Sequence, residues 1–196
     1  MKTLRLLILL AASGLIAGRS ASAHPVAQGA LVVRVEPERI QVRARVSGEE
    51  VFVANAFAAA GEPKAKTLAE VWQRHGDYLL RHLKVFADDS RLTGRVQDVA
   101  PSTNDFVVYQ LEFPVASPCA RVRVEEDLLN EIEYAPGNPW EAAFVVRVEQ
   151  PGRTAQEGLL LSRQQPLVIP CDGTNIAASP GRSRMVQQYI DRKSVV

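Results

Sequence analysis

The chain has 196 residues, a formal net charge of +1 and a hydrophobic share of 46%. This near-neutral balance excludes the strongly basic surface by which many proteins bind nucleic acid or anionic lipid, so no nucleic-acid partner is expected. The two cysteines allow at most one disulfide within the chain.

The first 23 residues have the layout of a secretory signal peptide. Lys2 and Arg5 form a positive start, residues 6–16 are apolar, and Ala21 and Ala23 are the small residues that signal peptidase requires. The apolar run is too short to span a bilayer comfortably, and no later stretch reaches that length. We expect cleavage after Ala23 and a periplasmic or extracytoplasmic protein with no embedded transmembrane segment. An uncleaved membrane anchor is the alternative.

Short segments that alternate between apolar and polar residues recur through the predicted mature domain, residues 24–172. Residues 39–46 are the clearest case, with four apolar side chains on one face and polar side chains on the other. Further predicted strands are 29–35, 84–87, 91–99, 106–115, 120–124, 144–148 and 158–162. Because Pro and Gly separate these short strands, the pattern predicts a mainly β fold, an Ig-like β-sandwich.

One α-helix is predicted near residues 68–83, either inserted into the sandwich or capping it. Thr67 and Glu70 form a capping box, and apolar residues recur behind them at helical spacing. The apolar run 49–60 fits a helix and a strand equally well.

His75 and His82 lie seven residues apart on the predicted helix. This spacing places them on nearly the same face, about 10.5 Å apart along the helix axis. Both are candidate metal ligands, although one ion is bound more readily at a spacing of three or four residues. The alternative is that both are surface or boundary histidines.

The connector 127–141 mixes carboxylates, amides and aromatic side chains around a Pro-Gly-Asn-Pro turn. Loops of this kind carry function more often than strands do. The predicted binding loop therefore comprises Asn130, Glu131, Asn138 and Trp140. Glu131 and Glu133 are also candidate metal ligands. The alternative is a loop whose apolar and aromatic side chains plug one end of the sandwich.

The sequence contains no catalytic signature such as GxSxG, HExxH or a P-loop. The spacing of Glu131 and Glu133 is that of ordinary solvated carboxylates on an extended chain. We therefore expect no catalytic activity, and a small hydrolase that uses this loop is the less favoured alternative.

Cys119 and Cys171 are an even number of cysteines in a chain that is expected to be exported. One disulfide between them is predicted, and two separate buried thiols are the alternative.

Cleavage after Ala23 would give the mature chain a histidine with a free amino group. The amine and imidazole of His24 could chelate one Cu(II) or Ni(II) ion. Pro25 removes a backbone N–H, so further ligands would come from His75, His82, Glu131 or Glu133. A disordered N-terminus is the alternative.

Several motifs resemble the exported N-terminal domain of HupE/UreJ-like bacterial membrane proteins. They are His24-Pro25, the segment VEPERI at 35–40, the helix pattern VWxxHxxYL at 71–79, and LNEIEYAPGN followed by x-Trp-Glu at 129–141. The resemblance covers most of residues 24–172. It implies a β-rich periplasmic accessory or binding domain related to nickel or cobalt handling.

The resemblance does not extend to the membrane helices of that family. Residues 173–196 are predicted to be a linker and C-terminal tail, in which 185–190 resembles the lead-in to a first membrane segment. Transport therefore cannot be carried over to this chain. The alternative function is a protein-interaction module for a membrane partner.

Overall fold

The structure is a computed structural model that describes residues 26–57, 65–102, 105–116, 119–161 and 166–171. The predicted signal peptide, His24 and the predicted tail at 173–196 lie outside the described residues.

The described chain contains two helices, α1 (Gly48–Ala56) and α2 (Leu68–His82). Its longer strands, in chain order, are β1 (Val26–Val35), β2 (Arg39–Ser47), β3 (Leu83–Ala87), β5 (Arg95–Pro101), β6 (Phe106–Pro114), β7 (Arg121–Glu126), β10 (Glu141–Glu149), β11 (Gln156–Leu161) and β12 (Leu167–Pro170). Its short strands are β4 (Ser90–Arg91), β8 (Glu133–Ala135) and β9 (Asn138–Pro139).

Most strands belong to two sheets. One sheet has the order β11-β10-β1-β2-β6-β5 and the other the order β12-β7-β3-β4, while β8 and β9 form a separate two-stranded ribbon. The predicted mainly β fold with an added helix is confirmed, and the arrangement is compatible with a β-sandwich.

Alternation within the strands determines which residues enter the core. On β2, Ile40, Val42, Ala44 and Val46 are all fully buried, while Arg39 and Arg43 are exposed. β6 and β10 continue the same apolar face, and the smaller sheet contributes buried residues from β3, β7 and β12. Nearly all of these side chains belong to a single hydrophobic cluster, so the two sheets share one core.

Strand β1 occupies a central position in the larger sheet. It pairs antiparallel with β2 through a tight hairpin and parallel with β10, with Val26 opposite Glu141. Gly29 allows a close approach on this strand, because a Cβ atom there would lie 2.3 Å from the ring of Phe144. Because Val26 lies opposite Glu141, the start of the described chain is adjacent to the end of the 127–141 connector.

Both helices begin with the capping interaction that their sequences favour. The Ser47 side chain accepts a hydrogen bond from the amide of Glu50, and Thr67 accepts one from the amide of Glu70. The ambiguous run 49–60 is thus helical over α1, and α2 ends one residue before the predicted boundary because Leu83 already belongs to β3. Neither described helix is long and apolar enough to cross a membrane.

The predicted secondary structure needs three corrections. The predicted strand 91–99 is divided into β4 and β5 around Gly94, where a Cβ atom would lie 2.4 Å from Phe113. The connector 127–141 contains the ribbon β8–β9 and is not entirely loop. Strand β12 was not predicted, because Pro166 and Pro170 flank only three apolar residues.

Candidate functional site on helix α2 and the 127–141 connector

Helix α2 presents three aromatic rings in sequence along one face. The ring centroids of His75 and Tyr78 are 5.6 Å apart, and those of Tyr78 and His82 are 4.2 Å apart. The two histidines predicted to share a face do so, with Tyr78 between them.

His75 is buried and faces α1. Its Nε2 lies 3.2 Å from Oε1 of Glu50, and the two side chains are 1% and 0% exposed. The surface or boundary position considered for His75 is therefore wrong, because the side chain links the two helices inside the core. Among the described residues, no hydrogen bond or ion pair joins His75 to Glu131 or Glu133, and its Nε2 faces Glu50 instead.

Three buried polar atoms around this pair lack a hydrogen-bond partner among the described residues. They are Oε2 of Glu50, Nδ1 of His75 and the hydroxyl of Tyr109. The ring centroids of His75 and Tyr109 are 5.5 Å apart. Burial, and secondarily the negative charge of Glu50, raises the pKa of Tyr109 above its ordinary value, so its hydroxyl stays protonated at neutral pH.

Tyr78 connects α2 to the connector. Its hydroxyl donates to Oε1 of Glu131 and accepts from the amide of Leu129, both at 2.8 Å. Leu129 has a φ of 62°, a left-handed conformation that is uncommon for leucine. Burial raises the pKa of Tyr78 well above its ordinary value, and the nearby Glu131 adds to this shift. Tyr78 therefore remains a neutral donor that holds the connector against the helix.

His82 lies at the more exposed end of the same face, with 23% of its side chain accessible. Its Nδ1 is 2.9 Å from Oδ1 of Asp127, whose other oxygen is 2.5 Å from Nζ of Lys84. Because a carboxylate accepts hydrogen bonds, Nδ1 carries the hydrogen, and the lone pair of the neutral ring is on Nε2. That Nε2 lies 3.9 Å from Oε1 of Glu131.

The remaining predicted binding residues mostly stabilise the connector itself. Glu133 accepts from the amide of Gly137 at 3.3 Å and does not approach His82. The side chain of Asn138 donates to the carbonyl of Pro136. The backbone amide of Trp140 donates to the carbonyl of Ile132. Oδ1 of Asn130 is buried without a partner among the described residues.

The connector also contributes to the core, as the alternative interpretation expected. Leu128, Leu129 and Ile132 are buried, and the Trp140 ring packs edge-on against Tyr134 at 6.4 Å. The polar residues of the connector thus contact α2, and its apolar residues pack in the core.

Among the described residues, no group of three or more His, Cys, Asp and Glu side chains is arranged to hold a metal ion. Of the predicted ligands that the structure describes, His82 and Glu131 lie within 3.9 Å of each other. Comparison with protein-family models finds no match for this chain, and comparison with curated proteins finds none either.

Sequence reasoning missed Glu50, Lys84 and Asp127. A carboxylate within the apolar run EEVFVANA was the available signal for Glu50. Asp127 and Lys84 had no comparable signal, because their roles depend on contacts across 43 to 45 residues.

Cys119 and Cys171 lie together at the other candidate site. Their sulfur atoms are 3.7 Å apart, and both are free thiols that are partly accessible. They line a cavity of about 270 Å³ next to β12. The predicted disulfide is therefore not formed in this structure, in which both residues are free thiols, although the fold places the two sulfurs side by side.

Proposed function

We propose that this chain is an exported, non-catalytic accessory domain that binds a nickel, cobalt or copper ion at His82 and Glu131. The observation that carries the proposal is the alignment of Asp127, His82 and Glu131, in which Asp127 holds Nδ1 of the imidazole and Nε2 faces Glu131. A carboxylate that orients a histidine in this way is the usual outer partner of a metal-binding imidazole.

The donor types and their separation suit a transition metal. Imidazole nitrogen and carboxylate oxygen each bind such ions at roughly 2.0–2.2 Å, so the 3.9 Å between Nε2 and Oε1 is within the span of two ligands of one ion. Glu131 is about half exposed, at 48% of its side chain. Because its Oε1 accepts from the Tyr78 hydroxyl at 2.8 Å, Oε2 is the oxygen that can turn toward the ion. Lys84 opposes a cation, but its Nζ is directed to the far oxygen of Asp127.

Two protein ligands leave positions for water or for other donors. His24 lies outside the described residues and stays a predicted donor. Strand β1 begins at Val26 opposite Glu141, at the end of the connector that carries Glu131. His82 and Glu131 are thus the proposed ligands, Asp127 is a positioning residue, and His24 is a separate predicted contributor.

Calorimetric titration with Ni(II), Co(II) and Cu(II) tests the proposal, using protein with both cysteines replaced by serine to remove thiol binding. His82→Ala should abolish binding, and Asp127→Asn should weaken it by about 10- to 100-fold. Glu133→Gln is the matched control, because this carboxylate lies in the same connector but does not approach His82. Equal affinities for the His82→Ala and Glu133→Gln variants would overturn the assignment.

His24 requires a separate variant. A Met-Ala extension of the mature N-terminus removes the free amine on His24 while leaving His82 unchanged. Lower affinity in this variant would assign His24 as a ligand, and unchanged affinity would exclude it.

A second candidate function is a docking module for an integral membrane protein, as the resemblance to HupE/UreJ-like exported domains implies. It is favoured by Phe52 and Phe57, which are 71% and 62% exposed at helix α1. Large apolar side chains at such exposure often mark interaction surfaces when they are clustered.

Co-purification from detergent-solubilised membranes tests this second function. The double variant Phe52→Ser/Phe57→Ser should lose a defined membrane partner that the parent protein retains. Val168→Ser, at an exposed apolar residue of β12, should retain it. Loss of the partner in both variants, or in neither, would count against docking at α1.

A further inference from the structure

We propose that Cys119 and Cys171 form a thiol–disulfide exchange site that reacts with a small-molecule disulfide of the glutathione class, and that the resulting bond fastens β12 to β7. This inference does not depend on metal binding at His82. It goes beyond the disulfide expected from the cysteine count, because it assigns the reagent, the order of reaction and the segment that is fixed.

The positions of the two cysteines follow from strand pairing. β12 and β7 are antiparallel, with Pro170 opposite Arg121 at the end of the ladder. One further hydrogen bond, from the amide of Cys171 to the carbonyl of Ala120, continues the pairing at 2.8 Å. Cys171 and Cys119 therefore lie just beyond the last strand pair, where side-chain rotation can reduce their sulfur separation of 3.7 Å to a bond of roughly 2.05 Å.

A cavity gives the reagent access to both thiols. It has a volume of about 270 Å³, and its walls include Glu36, Pro37, Pro151 and Arg153 as well as the two cysteines. The charge of Glu36 is offset by Arg39, which donates to its carboxylate at 2.7 Å. The Arg153 guanidinium donates to the carbonyl oxygens of Pro170 and Cys171 at 3.3 and 3.0 Å. Its positive charge next to the thiols favours a reagent that bears carboxylates, as glutathione disulfide does.

The environment of the two sulfurs determines the order of reaction. Burial, followed by the hydrogen bond with Cys119, raises the pKa of the Cys171 thiol to about 12. The Cys171 sulfur also donates to the carbonyl of Ile169 at 3.9 Å. A partly buried thiol that is hydrogen-bonded to a carbonyl is a poor first nucleophile, so Cys119 is the thiol that attacks first.

The exchange proceeds in two balanced steps. The Cys119 thiolate attacks one sulfur of the small disulfide, whose S–S bond breaks, and one small thiol leaves with the electron pair and takes up a proton. Cys171 then gives up its proton and attacks Sγ of Cys119, which releases the second small thiol. Two protein thiols are oxidised, and one small disulfide is reduced to two thiols.

Intact-mass spectrometry of the purified full chain, reduced and then exposed to glutathione disulfide, tests the proposal. The parent protein should lose two hydrogen atoms and retain no glutathione. Cys171→Ser should trap one glutathione on Cys119, because the resolving thiol is missing. Cys119→Ser should react at least about 10-fold more slowly, because only the less reactive Cys171 thiol remains.

Two outcomes would overturn the proposal. In one, the parent protein keeps two free thiols or accumulates stable glutathione adducts. In the other, Cys119→Ser is modified as fast as Cys171→Ser. Thermal unfolding provides a measurement that does not rely on the variants. The oxidised parent should unfold at a higher temperature than the reduced parent, and equal temperatures would show that β12 is not fastened by the bond.

Discussion

Replacing Tyr78 by phenylalanine removes one oxygen atom and two hydrogen bonds while leaving the aromatic ring in place. The lost bonds are the one donated to Glu131 and the one accepted from the amide of Leu129, each 2.8 Å long. The ring contacts with His75 and His82 are retained. The substitution therefore isolates the contribution of the hydroxyl to holding the connector on α2.

The two bonds differ in what remains after the substitution. Leu129 is fully buried, so its amide would lose its partner away from water at a cost of about 1–3 kcal/mol. Glu131 is half exposed and can bind water instead, so the loss of its bond adds less than about 1 kcal/mol. Relaxation of the left-handed backbone at Leu129 offsets part of this cost. We expect the free energy of unfolding to fall by about 2 kcal/mol.

Urea unfolding measures this change, with Tyr109→Phe as the matched control. For a slope of about 2 kcal/mol per molar urea, Tyr78→Phe should lower the midpoint by about 1 M. The Tyr109 hydroxyl is buried without a hydrogen-bond partner among the described residues. Its removal should leave the free energy of unfolding within about 0.5 kcal/mol of the parent value. Equal midpoints for the two variants, or a larger loss for Tyr109→Phe, would refute the assigned role of Tyr78.

Two further predictions concern the larger sheet. Gly29→Ala should lower stability by about 1–3 kcal/mol and reduce the thermal unfolding temperature, because the new Cβ would meet the Phe144 ring and the carbonyl of Arg45; an unchanged unfolding temperature would contradict the close packing. A hydrogen bond from Arg95, aided by one from Gln97, holds the pKa of Glu112 below its ordinary value of 4.5, so the folded state binds a proton less readily than the unfolded state. The stability from this group is present above pH 4.5 and is lost as the pH falls through the lowered pKa. Glu112→Gln should reduce the acid dependence of the urea midpoint, and a slope identical to that of the parent would exclude this contribution.

Local alternation of side chains was sufficient to predict much of the sheet structure. The register of apolar residues on β2, for example, matches their complete burial. Helix α1 could not be assigned from pattern alone, because Val51, Val53 and Ala54 are buried without a clear helical or strand period. Ser47 is recognisable as the N-cap of this helix only in the structure, where its side chain accepts a hydrogen bond from the amide of Glu50.

The candidate site was predictable only in part, for a related reason. The common face of His75 and His82 follows from helix geometry and needs no tertiary information. Their partners, Glu50 and Asp127, come from elements 25 and 45 residues away in the chain. No spacing rule links such positions, so their contacts depend on how α1 and the 127–141 connector are packed against α2.

The parallel pairing of β1 with β10 delays completion of the larger sheet during synthesis of the chain. β1 is a central strand, and its partner begins 115 residues later, with Val26 opposite Glu141. Pairings between such distant segments slow folding, because a long loop must close before the contacts stabilise it. The larger sheet cannot be completed until most of the chain has been synthesised. A nascent chain with this topology stays unfolded for longer, which suits the proposed export, because secretion channels admit unfolded chains.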